Sequence, residues 1–310
     1  MSTLVSNSLL SQFKDSFELT TDIIVKEPIV SVQTLAYNHE NTIAKCLDSI
    51  LSQKTSFPIE IIIGEDCSTD KTKDIITEYQ HKYPEVIRII TAKNNVGMIM
   101  NTERCAISCR GKYSAICEGD DYWTDPYKLQ KQVDYLENHP NCSLCFHSHS
   151  ILYDNGALVD KKPPVLKETY STEDILPYDG SFMATNSMLY RTEIIQTKPQ
   201  WVKEAPIGDT SLMLYCAFCG NIGYIDDNMS VYRCSSNSAW AQLHRNNLSF
   251  TISTYKKIVK MYKKMDIWSQ GKYHSTIKKT IWSNQKFLIK LYILKYLKIN
   301  TLSKNSKLRS

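Results

Sequence analysis

The strongest constraint on this chain is the alternation of short apolar runs with amphipathic helical patterns over its first 150 residues. Apolar runs at 29–36, 59–63, 86–91, 113–117 and 143–149 are separated by segments with helical spacing of apolar residues. The run at 61–63 is continuous, with only Glu60 before it, which is typical of a parallel strand buried on both faces. This order predicts an α/β fold with an open, doubly wound, mainly parallel sheet.

Polar and acidic groups follow four of these runs at the point where each strand should end. Carboxyl ends of parallel strands form the ligand-binding edge of such a sheet. Clustered carboxylates repel each other unless a cation or donor joins them. A divalent cation held by one or two carboxylates and by phosphate oxygens is the usual solution, so the pattern predicts metal-diphosphate chemistry. It leaves sugar transfer and nucleotidyl transfer both open. The residues are Tyr37; Glu65 and Asp66; Asn95 and Gly97; Glu118, Asp120 and Asp121.

The cysteine content and the N-terminal sequence indicate the cellular compartment. Ten cysteines occur in 310 residues, but the first twenty residues lack the basic and then apolar pattern of a secretory signal. Reduced thiols in the cytoplasm are therefore expected. No stretch of 18 uncharged apolar residues occurs, so we expect no membrane-spanning helix.

The end of the chain differs in charge from the rest. From Thr251 onward there are fifteen lysines and arginines and one acid, Asp266. Leucines and tyrosines between the lysines favour a basic interfacial helix on the inner face of an anionic membrane, with a solvated helix packed on the body as the alternative. Its lysines lack a nucleic-acid reading motif, so no nucleic-acid partner is expected.

Four segments resemble, in order and spacing, the glycosyltransferase family 2 domain with its GT-A fold: 30–38, 61–70, 95–101 and 111–123. The resemblance implies an inverting transferase with a nucleotide-sugar donor, UDP-linked in many members. It implies that Asp66 recognises the base and that Tyr37 packs near it, with Glu65, Asn95, Gly97 and Asp121 in the nucleotide-binding part. Asp120 matches the metal ligand, for Mg²⁺ or Mn²⁺, and Glu118 takes the other acidic place. Here Glu65 and Cys67 replace an aspartate and a glycine of the family pattern.

The same resemblance places a general base at the start of a helix in the second half. Asp209, in the segment 206–212, matches that position. An ordinary helix cap is the alternative reading of an aspartate there. Segment 231–233 and Trp240 resemble the end of the catalytic domain, where a loop would close over the donor.

The expected organisation is an N-terminal extension (1–27), a GT-A catalytic domain (28–245) and a basic helical region (246–310). Within the catalytic domain, 28–150 is the nucleotide-binding part and 151–245 the acceptor side. The expected function is transfer of a sugar to a glycan or lipid-linked acceptor in surface polysaccharide synthesis. A nucleotidyltransferase and a non-catalytic glycan- or membrane-binding relative are the alternative functions. The pattern of Cys142 and Cys145 with His147 and His149, and of Cys216 and Cys219, is also compatible with a zinc site, but cysteines packed as small core residues are the favoured interpretation.

Overall fold

The structure is a computed structural model that describes residues 10, 13, 15–19, 27–178, 182–235 and 247–307. In this part of the chain eleven strands form one sheet, in the order β1-β4-β3-β2-β5-β10-β7-β11-β6, with β8 paired to β7 and β9 to β11. The strands are β1 (Ser16–Leu19), β2 (Val30–Ala36), β3 (Ile59–Glu65), β4 (Ile87–Ala92), β5 (Tyr113–Ile116), β6 (Tyr122–Trp123), β7 (Cys142–Tyr153), β8 (Leu158–Lys161), β9 (Thr169–Tyr170), β10 (Leu189–Arg191) and β11 (Asn221–Cys234).

The helices connect these strands and then extend beyond the sheet. They are α1 (Ile43–Leu51), α2 (Thr72–Lys82), α3 (Met98–Ser108), α4 (Lys128–Asn138), α5 (Thr172–Ile175), α6 (Glu193–Gln196), α7 (Gln200–Lys203), α8 (Gly208–Cys219), α9 (Leu248–Trp268) and α10 (His274–Lys307), with a short 3₁₀ turn at Thr185–Ser187. The five strands and four helices predicted for the first half are all present.

The nucleotide-side half of the sheet is parallel, as predicted. Strands β4, β3, β2 and β5 pair in parallel, and β7 pairs in parallel with β11. The short strands β6, β8 and β9 pair antiparallel, and antiparallel strands also flank the parallel set of four on both sides. Strand β1 pairs with the outer strand β4, and β10 lies between β5 and β7. The predicted fifth strand therefore does not contact the fourth directly, although the mainly parallel α/β class is confirmed.

The single acid that interrupts the buried β3 run is neutralised within the sheet. Glu60 is fully buried, and its carboxylate accepts bonds from Arg88 at 3.0 Å, from Arg110 at 2.6 Å and from the Ser31 hydroxyl at 2.6 Å. A buried carboxylate is tolerated when it is paired and hydrogen-bonded in this way. Glu60 is the second residue of β3, at the other end of the strand from Glu65, so this network is separate from the predicted site.

Apolar side chains cover both faces of the sheet and extend into the C-terminal helices. Tyr262 and Met265 of α9 and Ile277 of α10 are buried in the same cluster as Phe146 and Met213. The beginning of the basic region thus contributes to the core of the body, and the domain boundaries stay predictions. None of the helices in the described part of the chain combines the length and the low charge needed to cross a bilayer.

Candidate active site

The loops after β2 and β3 are tied to each other by side chain–backbone bonds. Asn38 has a φ of 57°, and its side-chain oxygen accepts the Thr69 N–H at 2.8 Å. Asp70 accepts the Glu40 N–H at 3.1 Å, and Glu40 accepts the Lys71 N–H at 3.2 Å. These bonds fix the edge at which Tyr37 stands with 43% of its surface exposed. An exposed aromatic ring on a rigid loop is suited to stacking on a planar ligand.

Glu65 points into the protein. It is fully buried, and its carboxylate accepts the backbone N–H groups of Cys67 and Ser68 and the hydroxyl of Thr91. These bonds hold a turn in which Cys67 has a φ of 60°. That left-handed conformation favours glycine, the residue of the family pattern. The placement of Glu65 gives no support to a direct nucleotide contact.

Asp66 is also buried, and it organises the loop that follows β4. Its two carboxylate oxygens accept the N–H groups of Val96 at 2.8 Å and Gly97 at 2.9 Å. Its main-chain carbonyl accepts the Asn95 amide at 2.8 Å. The structure therefore brings Asp66, Asn95 and Gly97 together, as the sequence predicts. Arg104, a fully buried residue that the sequence analysis missed, lies 3.5 Å from the Asp66 carboxylate.

Three carboxylates meet after β5. Ligand oxygens of Glu118, Asp120 and Asp121 lie within 4.8 Å of one another, and no other set of three metal-ligating side chains occurs in the described ranges. Gly119 lets this segment approach β2, because a Cβ there would lie 2.6 Å from His39 Nδ1 and 2.9 Å from the Leu35 carbonyl. The thiols proposed for zinc do not form a comparable group, and Cys219 is exposed.

The carboxyl groups of the cluster are difficult to ionise all at once. Burial, together with the charges of Asp120 and Asp209, raises the pKa of Glu118 to about 8. Burial, followed by the charges of Asp120 and Glu118, raises the pKa of Asp121 well above its usual range. Such like-charge repulsion is relieved when a cation enters. Glu118 and Asp120 are half-buried, so the donor set fits a divalent cation with open positions for phosphate oxygens.

Asp121 is used differently, since both of its oxygens are bonded within the fold. They accept the Asn186 side-chain amide at 2.9 Å and the Arg233 N–H at 2.8 Å. Asn186 is fully buried and also accepts the Ser230 hydroxyl at 2.9 Å. Asp121 thus fastens the acidic loop to β11. Asn186 was not predicted from the sequence, because its local pattern gives no sign of its hydrogen-bond partners Ser230 and Asp121, which are 44 and 65 residues away.

Asp209 lies in the second half of the chain, close enough to the cluster for its charge to raise the pKa of Glu118. It is exposed and is the second residue of α8, whose N-cap is Ile207 with no side-chain cap. The capping alternative is therefore not what the structure shows. One of its oxygens accepts the Thr185 hydroxyl at 3.3 Å. The adjacent residues Thr185 and Asn186 thus bond to Asp209 and Asp121 respectively.

Cationic and aromatic groups border the cluster. Lys45 Nζ lies 3.6 Å from the centre of the Tyr122 ring, and the Arg233 guanidinium lies 5.1 Å from it. Burial, followed by the charges of Asp121, Glu118 and Asp120, raises the pKa of Tyr232, so its hydroxyl is a donor at neutral pH. Trp240, which the sequence analysis assigned to a closing loop, lies outside the described residues.

The comparisons with known sequences agree with this arrangement. The model of the family Glycosyl transferase family 2 matches residues 31–197. The uncharacterized protein Rv1520 of Mycobacterium tuberculosis is 37% identical over 226 residues, which is 71% of this chain and 63% of that protein. An Escherichia coli protein, UDP-Glc:alpha-D-GlcNAc-diphosphoundecaprenol beta-1,3-glucosyltransferase WfaP, is 39% identical over 35% of this chain and 41% of its own length.

Two solved structures share the fold. Staphylococcus aureus TarS 1-349 in complex with UDP-GlcNAc has a TM-score of 0.57 at 18% identity, covering 76% of this chain and 66% of TarS. The mannosyltransferase PcManGT from Pyrobaculum calidifontis, in complex with GDP-Man and Mn²⁺, has a TM-score of 0.54 at 15% identity, covering 93% and 77%. The fold and the family match define the class as a GT-A glycosyltransferase. This chain belongs to glycosyl transferase family 2.

Proposed function

We propose that this protein transfers a sugar from a UDP-linked donor, with inversion, to a glycan or lipid-linked acceptor in surface polysaccharide synthesis. The observation that carries the proposal is a pair of half-buried carboxylates, Glu118 and Asp120, with Asp209 close enough for its charge to raise the pKa of Glu118. The first two suit a metal-bound diphosphate, and the third suits a group that acts on the acceptor. WfaP, whose name gives UDP-Glc as donor, supports the choice of UDP.

Glu118 and Asp120 are the residues that would hold Mg²⁺ or Mn²⁺. The cation would offset the charge that develops on the departing nucleoside diphosphate. Tyr37 would stack on the base, while Asp66 would keep the 95–97 loop in place beside it and accept a base N–H at its edge. The Tyr232 hydroxyl and the Lys45 ammonium would donate to anionic oxygens near the cluster.

Asp209 would take the proton from the attacking acceptor hydroxyl. Its exposure gives an acceptor access to the carboxylate, and the Thr185 hydroxyl bond restricts its orientation. A general base must lie within hydrogen-bond reach of the proton it removes and on the face away from the leaving group. A single displacement of this kind inverts the anomeric centre.

We further propose a cytoplasmic protein that docks peripherally on anionic membrane through α10. This helix exposes Trp282, Ile289, Ile293 and Tyr296 together with lysines such as Lys290. Exposed apolar side chains flanked by lysines are the composition of interfacial helices.

The direct test is a donor screen. Purified protein would be mixed with UDP-, GDP- and TDP-sugars and an acceptor panel, with Mn²⁺, Mg²⁺ or EDTA, and release of nucleoside diphosphate would be measured. We expect metal-dependent release with a UDP-sugar that requires acceptor and disappears in Asp120→Ala. Release that is unaffected by EDTA and by Asp120→Ala would contradict the metal assignment, and transfer from a GDP-sugar alone would contradict the UDP assignment.

A further inference from the structure

A groove of about 280 Å³ lies beside the candidate active site, between the start of α3 and the face of α9. Two of its lining residues lie close in sequence to residues of the candidate site. Ile99 lines it two residues after Gly97, and Pro206 lines it three residues before Asp209. The lining is therefore continuous along the chain with both the loop held by Asp66 and the helix that carries the proposed base.

The charge of the groove is strongly positive. Lys257, Lys260 and Lys264 occur at intervals of three and four residues, which places them on one face of α9. Lys203 lines the groove from α7. Glu204 is the one acidic residue in the lining, and it forms an ion pair with Lys264. No ion pair of Lys203, Lys257 or Lys260 is found within the described part of the chain.

A hydrogen-bond donor without an acceptor belongs to the same wall. Trp201 lines the groove and is 3% exposed. Its buried indole N–H has no partner among the residues that the structure describes. An unsatisfied buried donor is costly unless a ligand or an ordered water supplies the acceptor.

Apolar residues complete the lining of the groove, among them Ile99, Ala205 and Met261. Ile99 is about half exposed, as are its chain neighbours Met98 and Met100, which lie outside the lining. Apolar side chains beside unpaired lysines suit a ligand that carries both a phosphate group and a hydrocarbon chain. Free phosphate or a neutral sugar would use only one part of this surface.

We propose that this groove binds the diphosphate of a lipid-linked acceptor sugar. Lys257 and Lys260 contact the phosphate oxygens, and the isoprenoid or alkyl chain runs along the exposed side chain of Ile99 and onward over the start of α3. The sugar that follows the diphosphate then reaches Asp209. The inference rests on the proposed function for the transfer step, but binding to the groove does not.

Binding can be measured without catalysis. Geranyl diphosphate would be titrated into the full chain by calorimetry at low salt with EDTA, so that metal-dependent binding at Glu118 and Asp120 does not contribute. We expect saturable binding that is about tenfold weaker in Lys257→Gln/Lys260→Gln, since each surface charge contact contributes several-fold. The matched control is Lys73→Gln/Lys263→Gln, which removes the same charge from α2 and from α9 outside the groove lining.

Comparing three ligands separates the contribution of the diphosphate to binding from that of the hydrocarbon chain. Geraniol should not bind, and inorganic pyrophosphate should bind several-fold more weakly than geranyl diphosphate. Equal affinity for pyrophosphate and geranyl diphosphate would mean a simple anion site and would overturn the proposal. Equal losses in the groove variant and its charge-matched control would also overturn it.

The transfer reaction then distinguishes this proposal from the proposed function. With an active donor, the same acceptor sugar would be offered as an alkyl glycoside and as a short-chain alkyl diphosphate ester. We expect the groove variant to raise KM for the diphosphate ester and to leave KM for the glycoside unchanged. If geranyl diphosphate bound in a groove-dependent way but no donor supported transfer, the proposed binding site would stand and the proposed transferase activity would be rejected. If transfer occurred and the KM for the diphosphate ester were the same in the groove variant and its control, the transferase activity would stand and the proposed binding site would be rejected.

Discussion

The carboxylate of Asp66 accepts the backbone N–H of Gly97 at 2.9 Å, which joins the end of β3 to the first turn of α3. Gly97 is the residue before α3 and has a φ of 84°, a conformation in which a side chain would be strained. A residue expected to recognise the nucleobase therefore also fixes the loop beside it. If Asp66 recognises the base as proposed, a substitution there changes base recognition and loop order together.

Asp66→Asn should accordingly lower both stability and nucleotide affinity. The amide keeps one acceptor oxygen for two N–H groups and leaves Arg104 without its buried anionic neighbour. We expect a loss of about 1–3 kcal/mol in the free energy of unfolding, measured by urea denaturation. Nucleotide affinity, measured by calorimetry, should fall more than turnover at saturating donor. Asp74→Asn, on the exposed side of α2, is the control. A large fall in turnover with unaltered affinity and stability would contradict this role.

The regular elements could be predicted because their signals are local. Apolar runs of five or more residues and helical spacing identified β2, β3, β4 and β5 and the helices between them. Strands β1 and β10 have four and three residues. Such short segments carry almost no periodicity, and they become strands only because a partner strand lies beside them. Their antiparallel insertion is a tertiary effect that sequence patterns do not contain.

The same distinction applies to the site. Glu118, Asp120, Asp121 and Asp209 were found because acidic residues at strand and helix ends are visible in the sequence. Asn186 was not found, since its importance comes from bonds to Asp121 and Ser230, which are far away in the chain. Glu65 occupies the predicted strand end, but its carboxylate turns inward to the Cys67 and Ser68 N–H groups. Position along a strand does not fix the direction of a side chain in the turn that follows.

Asp120→Ala should abolish metal-dependent binding of UDP without unfolding the protein. A lost metal ligand should cost at least about tenfold in Mn²⁺-dependent affinity, measured by calorimetry with and without EDTA. In metal-free protein the melting temperature should be unchanged or higher, because the variant removes a charge that raises the pKa values of Glu118 and Asp121. Asp134→Ala on α4 is the control. Full Mn²⁺-dependent UDP binding in Asp120→Ala would refute the metal assignment.

Metal affinity should depend on pH through Glu118. Its pKa of about 8 means that below pH 8 an entering cation must displace a proton from the metal-free protein. Apparent Mn²⁺ affinity should therefore rise between pH 6 and pH 8, by at most about tenfold per pH unit. Asp209→Asn removes one of the charges that raise this pKa, so its affinity profile should shift to lower pH. A profile that is flat over this range in the wild-type protein would exclude Glu118 as a titrating ligand.

Docking through α10 is best tested by substitution, since deletion of the whole basic region would remove Tyr262, Met265 and Ile277 from the core. Ile289, Ile293 and Tyr296 are 61%, 54% and 66% exposed and share one face of the helix. Ile289→Ser/Ile293→Ser/Tyr296→Ser should weaken sedimentation with phosphatidylserine vesicles.

Charge and apolar contributions can be separated in the same assay. Lys286→Gln/Lys290→Gln should weaken vesicle binding by about fivefold per lysine at low salt and reduce its salt dependence. Phosphatidylcholine vesicles are the neutral control. If wild-type protein did not bind phosphatidylserine vesicles at low salt, α10 would be a solvated helix packed on the body.

Asp209→Asn tests the proposed base with little change in shape. The amide retains one oxygen, which can accept the Thr210 N–H, while its NH2 group can donate to the Thr185 hydroxyl oxygen, but it cannot take up a proton at neutral pH. Nucleoside diphosphate affinity should be nearly unchanged at pH 8, because Glu118 and Asp120 remain, while turnover falls by about 10²- to 10⁴-fold. Thr185→Val, which removes only the orienting hydroxyl, should reduce turnover far less. The sugar in the product should have the anomeric configuration opposite to that of the donor, as seen by proton NMR. Near wild-type turnover in Asp209→Asn would remove Asp209 as the base, and a product that retains the donor configuration would exclude the single displacement itself.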